Sequence, residues 1–228
     1  MSKAVVLLSG GLDSTVTLAY ALSKGHDAVP LSFRYGQRHS KELEAAQAVA
    51  RHYHLNGHMV IDLDLSAFET SALTSEKVKV PEKRSVAEIG CDIPVTYVPA
   101  RNIIFLSVAA GVAETVRADR IFIGANALDY SGYPDCRAEF FEAFEKVLQV
   151  GTKSGVEGDP IRIEHPILRM TKAEIVELGK ELGAPLHLTW SCYQGGQKAC
   201  GRCDSCLLRL KGFREAGYED EIEYEVMG

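Results

Sequence analysis

Short apolar runs alternate with stretches of helical periodicity along most of this chain. Runs at residues 4–8, 28–33, 58–63, 120–124 and 161–164 have the length and continuity of strands buried on both faces. Between them, Val16, Leu18, Ala19 and Leu22 recur at helical spacing within residues 14–24, and Gly25 is placed to end that helix. Residues 41–53 carry Leu43, Ala46, Val49, Ala50 and Tyr53, with Ser40 as the expected cap. Residues 101–117 are apolar enough for a buried helix. Residues 137–150 set Phe140, Phe141, Phe144, Val147 and Leu148 on one expected face. Thr171 and Glu174 form a capping box before a helix to Leu182, with Gly183 as its stop. Strand alternating with helix predicts an α/β fold with a doubly wound, five-stranded parallel sheet, and ligands at the carboxyl ends of the strands.

Two stretches interrupt the rhythm. Residues 64–99 are polar and mixed, contain Pro81, Pro94 and Pro99, and read as an insertion over the site or a lid. Residues 190–206 are rich in cysteine and glycine and follow neither period. The expected division is an α/β domain over residues 1–188 and a small segment over 189–228 that ends in a helix at 204–216.

The bulk numbers narrow the classes. A chain of 228 residues suits one α/β domain with a small appendage. Its net charge of −6 argues against nucleic acid as the main partner. No apolar run approaches the roughly 18 residues that span a bilayer. Met-Ser-Lys leads directly into the first apolar run, so no signal peptide is expected and the location should be cytoplasmic. Six cysteines would stay reduced there, as metal ligands or core thiols.

The first run ends in Leu8 and passes into Ser9-Gly10-Gly11-Leu12-Asp13-Ser14-Thr15. A strand, a small-residue turn and a helix start aim free N–H groups and the helix dipole at one spot, which suits phosphate. A Walker A loop would need a lysine beside the glycines, and the nearest are Lys3 and Lys24. A dinucleotide fingerprint would need a third glycine. Ser9-to-Ser14 instead resembles the PP-loop of the ATP pyrophosphatase superfamily, whose members cut ATP between the α- and β-phosphates and transfer AMP to an oxygen. Ser9, Ser14, Thr15 and the loop amides can donate to the leaving pyrophosphate. Asp13, ionised, is suited to hold Mg²⁺ or the loop itself.

Cys192, Cys200, Cys203 and Cys206 form C-x7-C-x2-C-x2-C, a spacing that suits a tetrahedral metal site. One structural Zn²⁺ per chain is expected, with an iron–sulfur cluster as the alternative. Cys91 and Cys136 lie outside the array and read as small, partly buried residues. In the loop after the second run, Tyr35 can stack on adenosine and Gln37 can hydrogen-bond it. Arg101, a cation at a helix start, points to a bound anion. The loop after the fourth run offers Asp129, Tyr133, Asp135 and Arg137 for a second substrate, with Asp129 and Asp135 suited to a guanine-like edge or Mg²⁺. Lys172, at another helix start, is either a phosphate ligand or a surface lysine.

These segments together resemble the 7-cyano-7-deazaguanine synthase (QueC, preQ0-forming) family. They are S-G-G-L-D-S at 9–14, Y-G-Q-R-H at 35–39, P-A-R-N at 99–102, D-Y-S-G-Y-P-D-C-R at 129–137 and the four cysteines. The resemblance implies a Rossmann-like, adenine nucleotide alpha hydrolase-like fold and a zinc-binding homodimer. It implies that ATP adenylates the carboxylate of 7-carboxy-7-deazaguanine, ammonia displaces AMP, and a second ATP activates the amide oxygen on the way to the nitrile. In that reading Leu8 to Thr15, Tyr35 and Gln37 bind ATP. Ser9, Asp13, Ser14, Arg101 and Lys172 serve catalysis, and Arg101, Asp129, Tyr133, Asp135 and Arg137 bind the deazapurine. No part of the chain is left over for a glutaminase, so ammonia is expected from solution or a separate partner. A PP-loop enzyme that thiolates tRNA through the cysteines is the competing expectation.

Overall fold

Five parallel strands lie in the order β3-β2-β1-β4-β5: β1 Lys3–Leu7, β2 Asp27–Arg34, β3 Met59–Asp62, β4 Arg120–Phe122 and β5 Arg162–Glu164. The structure is a computed structural model that describes residues 2–65, 67–75, 77–82, 84, 89, 93–128 and 132–225. Along β1 the side chains alternate between two cores. Val5 and Leu7 join the cluster under the third and fourth helices, while Ala4 and Val6 join the one under the first two. Burial on both faces is why these strands read as continuous apolar runs.

The helices are α1 Leu12–Ser23, α2 Lys41–His52, α3 Arg101–Val116, α4 Ala138–Gly151, α5 Lys153–Val156, α6 Lys172–Glu181 and α7 Asp204–Glu215. The capping box is present: Glu174 N–H donates to Thr171 Oγ1, and Thr171 N–H donates to the Glu174 carboxylate at 2.7 Å. Gly25 and Gly183 follow their helices with φ of +80° and +65°. Three expectations change. Ser40 does not cap α2: its backbone is already helical, and its hydroxyl donates to Glu44 at 2.6 Å. On α4 the buried stripe is Phe141, Phe144 and Leu148, and Val147 turns outward, because the stripe keeps only positions three or four apart. α3 is not buried all round; Ile103 is exposed while Leu106, Ala109 and Ala113 face the core.

Strand order reverses between β1 and β4, so their carboxyl ends open a crevice at the switch point of the sheet. Gly124, just beyond β4, presses on α1 so closely that a Cβ there would sit 2.9 Å from the Ser14 nitrogen. The described part of 64–99 is anchored at both ends. Leu65, Phe68 and Leu73 pack on the main core, and Ala72 and Val80 pack among the four cysteines. Arg38 holds this segment by donating to the Ser75 and Val78 carbonyls, both at 2.6 Å. Arg84 pairs with the buried Asp204 of α7. No helix among the described residues is long and apolar enough to cross a membrane.

Candidate active site

A cavity of about 280 Å³ opens over the β1–β4 crevice. Leu8, Ser9, Gly11, Leu12, Asp13 and Ser14 form its floor. Within the loop, Ser9 N–H and Ser14 Oγ meet at 3.2 Å, Ser14 Oγ donates to the Gly11 carbonyl at 3.1 Å, and Gly11 N–H donates to Ser9 Oγ at 3.3 Å. The two hydroxyls, 3.0 Å apart, thus engage two of the loop's own amides, those of Ser9 and Gly11. Two residues expected to touch ATP stand outside the wall. Gly10 (φ +88°) lies where a Cβ would sit 2.1 Å from the Glu42 carbonyl, so it serves close packing of loop against α2. Thr15 is fully buried, its hydroxyl turned into the protein without a partner among the described residues.

Asp13 and Lys172 meet here. Lys172 Nζ donates to both Asp13 oxygens, and Lys172 is buried, not a surface lysine. The lysine lies across Gly212 of α7, where a Cβ would be 2.4 Å from Lys172 Cγ.

The far wall holds Arg101, Tyr35, Tyr133, Phe105, Asn102 and Cys136. Burial works against the Arg101 charge, but the Tyr35 and Tyr133 hydroxyls, Cys136 and Asp135 hold its proton more firmly than usual. Burial pushes both tyrosine hydroxyls up, and it pushes the Cys136 thiol up to about 12, so the thiol stays protonated. Tyr133 is fixed by Thr96 Oγ1 at 2.7 Å, and Tyr35 packs edge-on to Phe105. Gln37 lines the cavity, but its amide is occupied by its own loop: Oε1 accepts from Tyr35 N–H at 2.8 Å and Nε2 donates to the Phe33 carbonyl. Asp135 sits behind the wall and accepts from Asn102 N–H at 3.0 Å, a bond that holds the start of α3. Arg137 is exposed, away from the cavity, and donates to the Pro134 carbonyl. Asp129 and Cys91 lie outside the described residues.

Glu42, in the first turn of α2, also lines the cavity, and sequence reading passed over it. Burial raises its carboxyl to about 7 despite the lowering by Arg101. Trp190 and Asn126 were missed too. Trp190 N–H donates to the Gly10 carbonyl at 2.9 Å, and Asn126 Nδ2 donates to the Ile167 and Met170 carbonyls just before α6. The signal for Glu42 was its place directly after the Tyr35–His39 loop. Asn126 lay in the loop after the fourth run, whose hydrogen-bonding groups were the signal, while Trp190 carried no local signal.

Beside the cavity, all four cysteine sulfurs of the array are buried and lie within 4.8 Å of one another. The Cys200 and Cys206 sulfurs are 3.9 Å apart, near the edge of about 3.8 Å for a tetrahedron with metal–sulfur bonds of about 2.3 Å. Backbone N–H groups of Gln194 and Cys200 point at Cys192 Sγ, and that of Cys203 at Cys200 Sγ, the pattern that stabilises thiolates. The donor set fits a single thiophilic ion.

A lysine-free phosphate loop at the switch point of a parallel sheet, beside a four-thiolate segment, defines an ATP pyrophosphatase of the PP-loop class. The family model "Queuosine biosynthesis protein QueC" matches residues 3–217. The chain belongs to that family. It is 59% identical over 225 residues to the 7-cyano-7-deazaguanine synthase of Picrophilus torridus, covering 99% of this chain and 92% of the relative. It is 57% identical to the synthase of that name from Acetivibrio thermocellus, covering 98% of each. Among solved structures, a predicted tRNA methyltransferase subunit from Methanocaldococcus jannaschii aligns with TM-score 0.51 at 17% identity, over 97% of this chain and 91% of that one. NMN synthetase from Francisella tularensis aligns with TM-score 0.50 at 16% identity, over 96% and 78%. At such identity both speak for the fold alone.

Proposed function

We propose that this chain is an ATP-dependent carbon–nitrogen ligase that converts 7-carboxy-7-deazaguanine and ammonia to 7-cyano-7-deazaguanine, releasing AMP and pyrophosphate. The observation that carries it is one cavity joining the Ser9–Ser14 loop to the Arg101 wall, in a chain whose relatives named as that synthase are more than half identical over nearly its whole length.

The loop amides and hydroxyls receive the leaving pyrophosphate. Arg101 is placed for the anionic carboxylate of the substrate, and the aromatic wall keeps water from the acyl adenylate. Mg²⁺ would be held by Asp13 together with the ATP phosphates and water, where it neutralises phosphate charge. The Lys172 ammonium already within 2.9 Å of both Asp13 oxygens supports a cation at that position. Zinc would be held by Cys192, Cys200, Cys203 and Cys206 as a structural ion, and the short sulfur separations favour one ion over a four-iron cube. Residues 1–188 would act as the nucleotide-binding domain, and residues 189–228 as a brace against it. The working form would be a cytoplasmic homodimer that engages no nucleic acid.

Incubation with ATP, ammonium and the acid, followed by mass spectrometry, should show the amide and then the nitrile, with AMP. Pyrophosphate release with neither product would refute the proposal. Metal analysis should find one zinc per chain in a colourless protein; a brown, iron-containing protein would favour the thiolase reading.

A further inference from the structure

Glu42 is an ionisable group of the cavity that neither phosphate binding nor the Arg101 wall uses. Glu42 stands on the first turn of α2, and its own backbone is pressed against Gly10 of the phosphate loop. Glu42 lines the same cavity as the loop and Arg101. Among the described residues it meets no hydrogen-bond donor that would commit it to a structural role. The groups around it are Arg101 from α3, Tyr35 from the end of β2, Cys192 from the cysteine segment, and Lys41 beside it on α2. Lys41 is turned toward Glu44 and the Trp190 ring.

The proposed reaction needs such a group. Ammonium, the form that dominates in neutral water, has no lone pair and must lose a proton before it attacks. We propose that Glu42 is the general base that deprotonates ammonium, an inference that rests on the ligase reading above. One proton passes from ammonium to the Glu42 carboxylate. The nitrogen lone pair forms the C–N bond at the adenylated carbonyl carbon. The C–O bond to AMP breaks, and its electron pair leaves on the AMP phosphate oxygen. The second surplus proton leaves the new amide nitrogen for solvent, and Glu42 returns its own proton to solvent before the next turnover. The place of Glu42 on the wall shared with Arg101 and the phosphate loop sets a carboxylate beside the point where the adenylate would form.

The test separates activation from amination in Glu42→Gln. Acid-dependent ATP–pyrophosphate exchange should stay within about twofold of wild type. Ammonium-dependent amide formation should fall by about 10²–10⁴-fold. Hydroxylamine, already a free base at neutral pH, should give hydroxamate at close to the wild-type rate. Glu42→Asp, which keeps a carboxylate, should regain part of the ammonium-dependent rate and controls for misfolding. An equal loss in exchange and amination, or a raised KM for the acid with the ammonium step intact, would overturn the base and make Glu42 a substrate contact. If wild-type protein shows no acid-dependent exchange at all, the ligase reading itself fails, and the base with it.

Discussion

Lys172 Nζ lies 2.8 and 2.9 Å from the two carboxylate oxygens of Asp13, a residue 159 positions away. The pair joins the start of α6 to the phosphate loop, and it makes one unit of two residues whose roles looked separate. Asp13 keeps partial access to the cavity, whereas Lys172 is buried.

Lys172→Met should therefore act on both stability and chemistry. It strands the Asp13 carboxylate, at a cost of about 1–3 kcal/mol, less than for a fully buried pair because Asp13 is partly solvated. Urea unfolding would register that cost as a lower midpoint. The ATP-dependent rate should fall by about 10²-fold through the lost positive charge at the phosphates. A variant of unchanged rate and stability would mean that the pair is incidental.

Gly10→Ala places a Cβ 2.1 Å from the Glu42 carbonyl and 2.5 Å from the Ala46 nitrogen, at φ +88°. Both atoms are backbone, so loop and α2 must part. We expect a loss of about 1–3 kcal/mol in thermal unfolding and loss of ATP–pyrophosphate exchange. Gly25→Ala, also at positive φ but with open space around it, should leave exchange intact.

The effect of pH on stability should bear the mark of Glu42. Its folded value near 7 lies above the ordinary 4.5, so between these values the folded protein binds a proton that the unfolded chain has lost. The contribution is fully favourable below pH 4.5 and is lost as pH rises through about 7, by about 3 kcal/mol at most. Glu42→Gln should unfold at a higher temperature than wild type at pH 8, and the gap should close at pH 4. Parallel curves for the two proteins would contradict the burial of this carboxyl.

Removing the bound metal should weaken nucleotide binding as well as the cysteine segment. Trp190 is the chain's single tryptophan and sits between the cysteines and Gly10, so its fluorescence reports the coupling directly. Chelation should shift its emission to the red and raise the Kd for ATP at least about tenfold. Metal-free protein that binds ATP as before would show the two parts to be independent.

Much of this architecture could be read along the chain, because its signals are local. All five strands fall within two residues of the apolar runs, and Thr171 with Glu174 declares a helix start by direct contact. The cysteine spacing was enough to place four sulfurs together. The partners of Asp13, Gly10 and Arg101 were not legible, since each is set by contacts across the fold. Asp135 and Arg137 show how fold contacts stay hidden in residue type. Both have the chemistry of substrate ligands, but one is spent on the start of α3 and the other faces solvent. Glu42 read as an ordinary acid in a first helical turn because burial leaves no mark on residue type.

The phosphate loop is made first and finished last. Trp190 N–H holds the Gly10 carbonyl, and Gly212 of α7 gives Lys172 the room to reach Asp13. A nascent chain that has emerged as far as residue 180 has its glycine loop but not the parts that lock it. The loop's shape therefore depends on a backbone bond made 180 positions downstream of Gly10, and a chain cut short of Trp190 would keep the glycine sequence without that bond.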